Sequence, residues 1–408
     1  MTSNVLSSLS LMVAALAPIT MLPSAANAGE WEVSGSLGAE MRTFAREGAL
    51  PGQLDTFQPS LQFEGDLRWQ SDDRRFDFVF VPFGRLDAKD EERTHADVRE
   101  AYVRWNGDSW TVRAGLAKVY WGVAESRHLV DIINQSDAIE DIDNEDKLGQ
   151  PMLEISTIQD WGQLTGYVMP AFRKRTFPGD EGRFRAPFLV DNDLARFDEG
   201  RDDDGDVDFA LRYSHYFGDW DVGVSLFHGA DREPRLILDE ERGFFAPYYD
   251  DITQVGLDLQ YTRDAWLWKF EGIVKDTPFE TFAAAVAGVE YTFYGVTEAG
   301  ADLGVLVEFQ YDGRSENPYI APITTADNDI FTGLRLAMND AEDTSVLGGV
   351  IVDLDDASMS GVVEASRRFG DYWVGELEAR FFTNVDSSNV LYGFRRDSQL
   401  TLRLTRYF

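Results

Sequence analysis

The feature that most constrains this chain is a one-by-one alternation of apolar and polar side chains, kept up in short runs from Trp31 to the C-terminus. In the first run Trp31, Val33, Leu37, Ala39 and Met41 share one parity, with Glu32, Ser34, Ser36, Glu40 and Arg42 on the other. A second run sets Leu61, Phe63, Leu67 and Trp69 against Gln62, Glu64, Asp66 and Arg68. Period two places each set on one face of a β-strand. A soluble sandwich alternates in the same way, so run length and punctuation have to decide the environment.

Most runs are near the ~9–11 residues that a tilted strand needs to cross a bilayer. Eighteen can be read, from the one starting near Trp31 to the one starting near Ser398, with sixteen as the alternative count. Every second connection is short, such as "SDDR", "NGDS" and "FGD", while those between are mostly long: Ala45–Ser60, Ala88–His95, Val119–Pro151, Arg173–Asp206, Gly229–Asp251, Gly313–Asn328 and Thr383–Asp397. That sorting predicts an all-β, antiparallel up-and-down transmembrane barrel with short periplasmic turns and long extracellular loops. Trp110, Trp161, Trp220, Trp266 and Trp373 each follow an Asp by one or two residues at a short turn. Indole rings favour the membrane–water interface, so these five predict an aromatic girdle on the short-turn side.

Composition agrees. The segment "VLSSLSLMVAALAPI" with the small-residue site Ala26–Ala28 reads as a secretory leader over 1–28, leaving 29–408 as the barrel. There is no cysteine, so a disulfide framework is excluded. A net charge of −35 excludes a nucleic-acid partner, which needs a basic footprint, while 13% aromatic residues argue against disorder. Acidic outer loops suit a surface beside lipopolysaccharide and outer-membrane lipid.

The chain ends "SQLTLRLTRYF", with Leu400, Leu402 and Leu404 on one face and Phe408 last. This resembles the C-terminal strand of Gram-negative outer-membrane barrels, which the barrel assembly machinery reads. It departs where Arg406 stands in place of the usual apolar residue. Overall the chain resembles porin-like eighteen-stranded channels of the substrate-specific or alginate-export type. The resemblance implies a channel and a loop folded inward to narrow it.

The inward parity carries many charges, Glu40, Asp258, Glu271, Glu308, Arg42, Arg85, Arg104, Arg113, Arg335 and Arg403 among them. Such a face predicts a hydrated lumen braced by Arg–carboxylate pairs. In Val119–Pro151 the alternation stops. Leu129, Ile133, Ile139 and Ile142 recur at helical spacing behind Ser126, a residue suited to an N-cap, so a partly helical loop folded toward the lumen is expected. Its acids Asp131, Asp137, Glu140, Asp141, Asp143, Glu145 and Asp146 would form an acidic rim, the alternative being a loop that stands outward at the cell surface. The basic run Arg173, Lys174, Arg175, Arg183 and Arg185 would face that rim across the pore, or else contact lipopolysaccharide phosphate outside.

"DDDGDVD" begins like a calcium loop, but the twelfth position from Asp202 is Tyr213. Asp202, Asp204 and Asp206 remain as candidates for a loosely held Ca²⁺, and no other cofactor is expected. Of four histidines only His128 has a serine and a carboxylate close in sequence, Ser126 and Asp131, at spacings that do not make a triad. The expected function is a non-enzymatic channel for small polar or charged solutes. Export of an anionic polymer and a barrel hydrolase are the alternatives.

Overall fold

The computed structural model describes residues 29–198 and 206–408. The leader read at 1–28, and the candidates Asp202 and Asp204, lie outside the described residues. Eighteen strands, from Glu30–Phe44 to Gln399–Tyr407, form one sheet in which every neighbour is antiparallel. The first strand pairs with the second and also with the last, from Ser36↔Tyr407 to Phe44↔Gln399, so the sheet closes on itself. Closure leaves no unpaired edge, which is why a sheet can stand in hydrocarbon at all. Phe408 extends the seam: its N–H donates to the Gly35 carbonyl and its carbonyl accepts from the Gly35 N–H, both at 3.0 Å.

The sixth strand, read from Pro151, is Gln150–Gln159, and the observed count is eighteen rather than sixteen. Three further short strands, Arg196–Phe197, Arg235–Asp239 and Phe244–Tyr249, make a small separate sheet within the long loops. The ladder between Phe76–Asp87 and His95–Asn106 shifts register at Val81/Pro82. Proline lacks the N–H that a regular ladder would use, and a bulge accommodates it.

Outward positions carry the apolar parity. Leu400, Leu402 and Leu404 are exposed on the outer wall, as are Trp110, Trp161, Trp220, Trp266 and Trp373, the five tryptophans read as a girdle. Trp31, Trp105 and Trp268 are exposed as well. Arg406, the departure from the terminal-strand pattern, lies opposite Trp373 in the ladder, with its guanidinium carbon 5.9 Å from the indole centroid. A cation at the level of the girdle can keep its head toward water while its stem covers apolar surface.

One expectation is corrected. Val119–Pro151 contains no helix; the described helical turns are the short 3₁₀ segments Asn192–Leu194 and Val390–Phe394. The reason lies in the hydrogen bonding. Ser126 does not cap a helix, because its N–H and hydroxyl both donate to the wall carboxylate Glu308.

The outer face supplies a direct test. Leu402→Arg places a charge mid-strand in lipid and should destabilise the barrel by about 2–4 kcal/mol, read by urea titration of refolding into lipid vesicles. Glu376→Gln, on the neighbouring strand where it lines the open interior, should cost markedly less.

Candidate functional site

The segment 119–149 leaves the fifth strand, Trp110–Ala117, and folds into the barrel. Its first half is held by apolar packing. Trp121, Ala124, Leu129, Val130, Ile132 and Ile133 form one buried cluster with Met152, Tyr167, Phe227, Ile252, Ile273 and Val286 from the inner wall. Gly256 makes room for this contact, since a Cβ there would sit 3.1 Å from Val130 Cγ1. This side of the interior is a dry core rather than hydrated lumen, a point the charged inward parity did not reveal.

Two wall carboxylates then take up the loop backbone. Glu271 Oε1 accepts from the N–H groups of Val123 (2.7 Å) and Ala124 (2.9 Å), and Oε2 from Val130 (3.2 Å). Glu308 accepts from the N–H groups of Glu125 (2.9 Å) and Ser126 (2.8 Å) and from the Ser126 hydroxyl (2.5 Å). Buried amides need acceptors, and an ionised acceptor strengthens each bond. Both residues had been read as inward acids; their role as clamps depends on a loop brought from elsewhere in the chain. Arg127 adds an ion pair to Asp312 at 2.7 Å, and Arg335 pairs with Glu125.

The second half of the loop is held by a cage of arginines. Arg42 meets Asp141 at 2.8 Å, Arg85 meets Glu140 at 2.6 Å, and Arg99 meets Asp137 at 2.6 Å. Arg93 braces the cage through Glu40 at 2.8 Å and Asp87 at 3.1 Å. Asp137 is held well below the usual carboxylate range: burial opposes ionisation, but bonds from His95, Arg99 and Thr176 outweigh it. His95, Asp137 and Glu140 cluster closely enough to hold a metal ion, yet Arg85 and Arg99 already occupy their oxygens.

What remains open lies between the loop and the strands from Asn328–Ala337 round to Gln399–Tyr407. A cavity of about 390 Å³ is lined there by Glu125, Glu364, Glu376 and Glu378 with Arg335 and Arg403. Asp143 meets Arg380 at 3.0 Å, and exposed Glu145 and Asp146 continue the loop's acidic edge. Enclosure in the barrel, then the carboxylates of Glu140 and Asp143, push Asp146 up to about 7. Asp143 is raised as well, by enclosure and by Asp141. Glu145 is lowered by its hydrogen bond with His128. Burial works against the His128 cation, but bonds to Glu145 and Glu271 hold it up at about 10.

The residues singled out in the sequence divide accordingly. Asp137, Glu140 and Asp141 lie in the arginine cage, Asp143 on the open edge, and Asp131 is buried beside Lys147 at 3.2 Å. The basic run does not stand across the lumen as a rim. Arg183 is buried against Asp397 at 2.7 Å and the carbonyls of Arg46 and Arg396, and Arg185 donates to the carbonyls of Pro51 and Asp180. These two staple the long loops to one another. Arg173 reaches Asp97 at 2.9 Å and the Gly149 carbonyl, Arg175 reaches the Asn144 side chain at 2.6 Å, and Lys174 donates to the Asn192 carbonyl. The arginines facing the acidic loop come from the wall instead, because wall positions are the ones the closed ladder aims inward. Arg104 and Arg113 pair within the wall with Asp77 and Glu154. Asp206 is half-buried and belongs to neither of the metal-sized clusters found among the described residues.

No family model and no curated protein matches this sequence. Solved structures do match in fold. Pseudomonas aeruginosa OccD3 (OpdP) is similar over 92% of this chain and 90% of its own, at 12% identity and a TM-score of 0.51. OmpT, an outer membrane protein of Vibrio cholerae, is similar over 94% of this chain and 100% of its own, at 10% identity and a TM-score of 0.46. A mutant of the Rh. blastica porin covers 93% of this chain at 12% identity, with a TM-score of 0.44. The likeness to OccD3, with the closed eighteen-stranded sheet, makes the chain a porin-like barrel in fold.

The clamp can be tested alone. Glu308→Ala leaves two amides and a hydroxyl without their acceptor, at about 1.5–3 kcal/mol for each bond to a charged group. The expected outcome is faster tryptic cleavage after Arg127 and a larger, noisier single-channel conductance than the parent's.

Proposed function

We propose that this chain is an outer-membrane channel through which small polar solutes diffuse, with segment 119–149 as its constriction and cations favoured over anions. Long loops set the constriction at the outward-facing mouth, short turns at the periplasmic one. The reading rests on one observation, the charge lining the space the loop leaves open. Glu125, Glu364, Glu376 and Glu378 line it against Arg335 and Arg403, and the loop edge adds Asp143, Glu145 and Asp146; counting Arg380, Lys269 and the His128 cation that pair with members of the set, seven carboxylates meet five cations. A polar-walled passage with an excess of one sign concentrates counter-ions and repels co-ions.

The same charge map disfavours export of an anionic polymer, which would need free inward arginines. Arg42, Arg85, Arg93 and Arg99 are all committed to carboxylates. A hydrolase would need a serine activated by histidine, whereas Ser126 donates to Glu308 and His128 bonds Tyr120 and Glu145.

Purified protein in a planar bilayer should show stepwise conductance with a reversal potential favouring cations; no conductance steps would overturn the channel reading. The preference should also depend on pH. Asp146 has a raised pKa near 7, so it is ionised above that value and neutral below it. Cation preference should therefore fall as pH drops from 8 to 6, by roughly twofold for one charge in a narrow passage. Asp146→Asn should abolish this step and hold the lower preference throughout.

A further inference from the structure

At the long-loop rim acidic segments converge without an ion-pair partner: the guanidinium of Arg127 comes as near as the Ala326 carbonyl, at 3.0 Å, but it is paired with Asp312. Asp327 leads into the strand Asn328–Ala337, while Asp353 ends the strand Ser345–Asp353 and Asp355 follows it. One carboxylate oxygen from each of Asp327, Asp353 and Asp355 lies within 4.8 Å of the others. Asp329 stands directly across the ladder from Asp353, two residues along the strand from Asp327.

Asp329 makes this more than an acidic cluster. It is 2% exposed, and its Oδ2 has no hydrogen-bond partner. Three other described acids, Asp131, Asp258 and Asp397, also have a buried carboxylate oxygen without a hydrogen bond, but each has a basic partner: Lys147, Arg212 and Arg183. Among the described residues no Lys or Arg forms an ion pair with Asp327, Asp329, Asp353 or Asp355. An unpaired, buried carboxylate beside like charges is strongly disfavoured unless a cation joins it.

We infer that Asp327, Asp353 and Asp355 bind one divalent cation, with Ca²⁺ as the ion the site takes and the buried carboxylate of Asp329, across the ladder from Asp353, adding a fourth negative charge behind it. All three ligands are hard oxygen donors, which suit Ca²⁺ or Mg²⁺ and not the softer metals. Ca²⁺ accepts an irregular set of carboxylate and carbonyl oxygens, whereas Mg²⁺ demands a near-ideal octahedron and keeps most of its waters, so a cluster at a loop rim favours Ca²⁺. Asp353 Oδ1 accepts from the N–H groups of Asp355 (2.7 Å) and Asp356 (3.2 Å), while Oδ2 accepts only from Asn389 Nδ2 (2.8 Å) and keeps a lone pair for a metal. Through Asn389, which also caps the turn Val390–Phe394, the ion steadies the last long loop.

The test is calorimetric titration of the full chain, refolded in detergent and stripped with a chelator, with CaCl₂ and in parallel with MgCl₂. One saturable Ca²⁺ per chain is expected, at about 0.1–1 mM as in extracellular modules, with weaker Mg²⁺ binding. Asp329→Asn should weaken Ca²⁺ at least tenfold and, in chelator, melt no lower than the parent, because it removes repulsion. If that variant fails to assemble, Asp355→Asn at the exposed side of the cluster should show the same loss. The proposal is overturned by the absence of saturable Ca²⁺ binding, by tighter Mg²⁺ than Ca²⁺, or by unchanged affinity in both variants. Loss of binding on Asp202→Asn with Asp204→Asn instead would also overturn it, by moving the ion to the other acidic run.

Discussion

The interior of this barrel depends on two buried carboxylates accepting backbone hydrogen bonds from a loop that belongs to a distant part of the wall. Glu271 and Glu308 take the N–H groups of residues 123–126 and 130. A closed ladder satisfies its own backbone, but an irregular segment inside it has no such recourse. Without those acceptors the segment would be driven back to water, and the apolar cluster around Val130 and Ile133 would lose its cover. The absence of helix follows from the same fact, since amides committed to the wall are not available to carbonyls one turn earlier.

Charge is then distributed by what the loop consumes. One flank of the loop neutralises Arg42, Arg85 and Arg99 with Asp141, Glu140 and Asp137. Those pairs are buried, so they fix position more than they add stability. The other flank leaves Asp143 beside Arg380, Glu145 beside His128 and Asp146 exposed. The electrostatic character of the passage is thus set by residues left over from packing.

The mistaken expectations share a cause. Leu129 and Ile133 are one helical turn apart, and they are buried as expected, but against the wall from an irregular segment of turns and bends. Spacing cannot separate the two cases when the surface that buries the residues is supplied by other strands. The basic run behaved likewise. Arg183 and Arg185 are close in sequence to Arg173 and Arg175, yet carbonyls and carboxylates of other loops draw them out of the passage. Conversely, Asp327, Asp329, Asp353 and Asp355 look unremarkable along the chain, and only the strand pairing sets them together.

By itself the sequence determined the antiparallel barrel, a strand count of eighteen or sixteen, and the parity of inside against outside. Period two and the alternation of short and long connections are local properties, and a barrel is built from nearest neighbours. The tertiary structure alone decided which inward charges are spent and which are free. That depends on contacts such as Arg42 to Asp141 and Glu308 to Ser126. These residues are far apart in the chain and on different strands and loops. No local pattern encodes their meeting, because it is the closure of the wall that brings them within hydrogen-bonding distance.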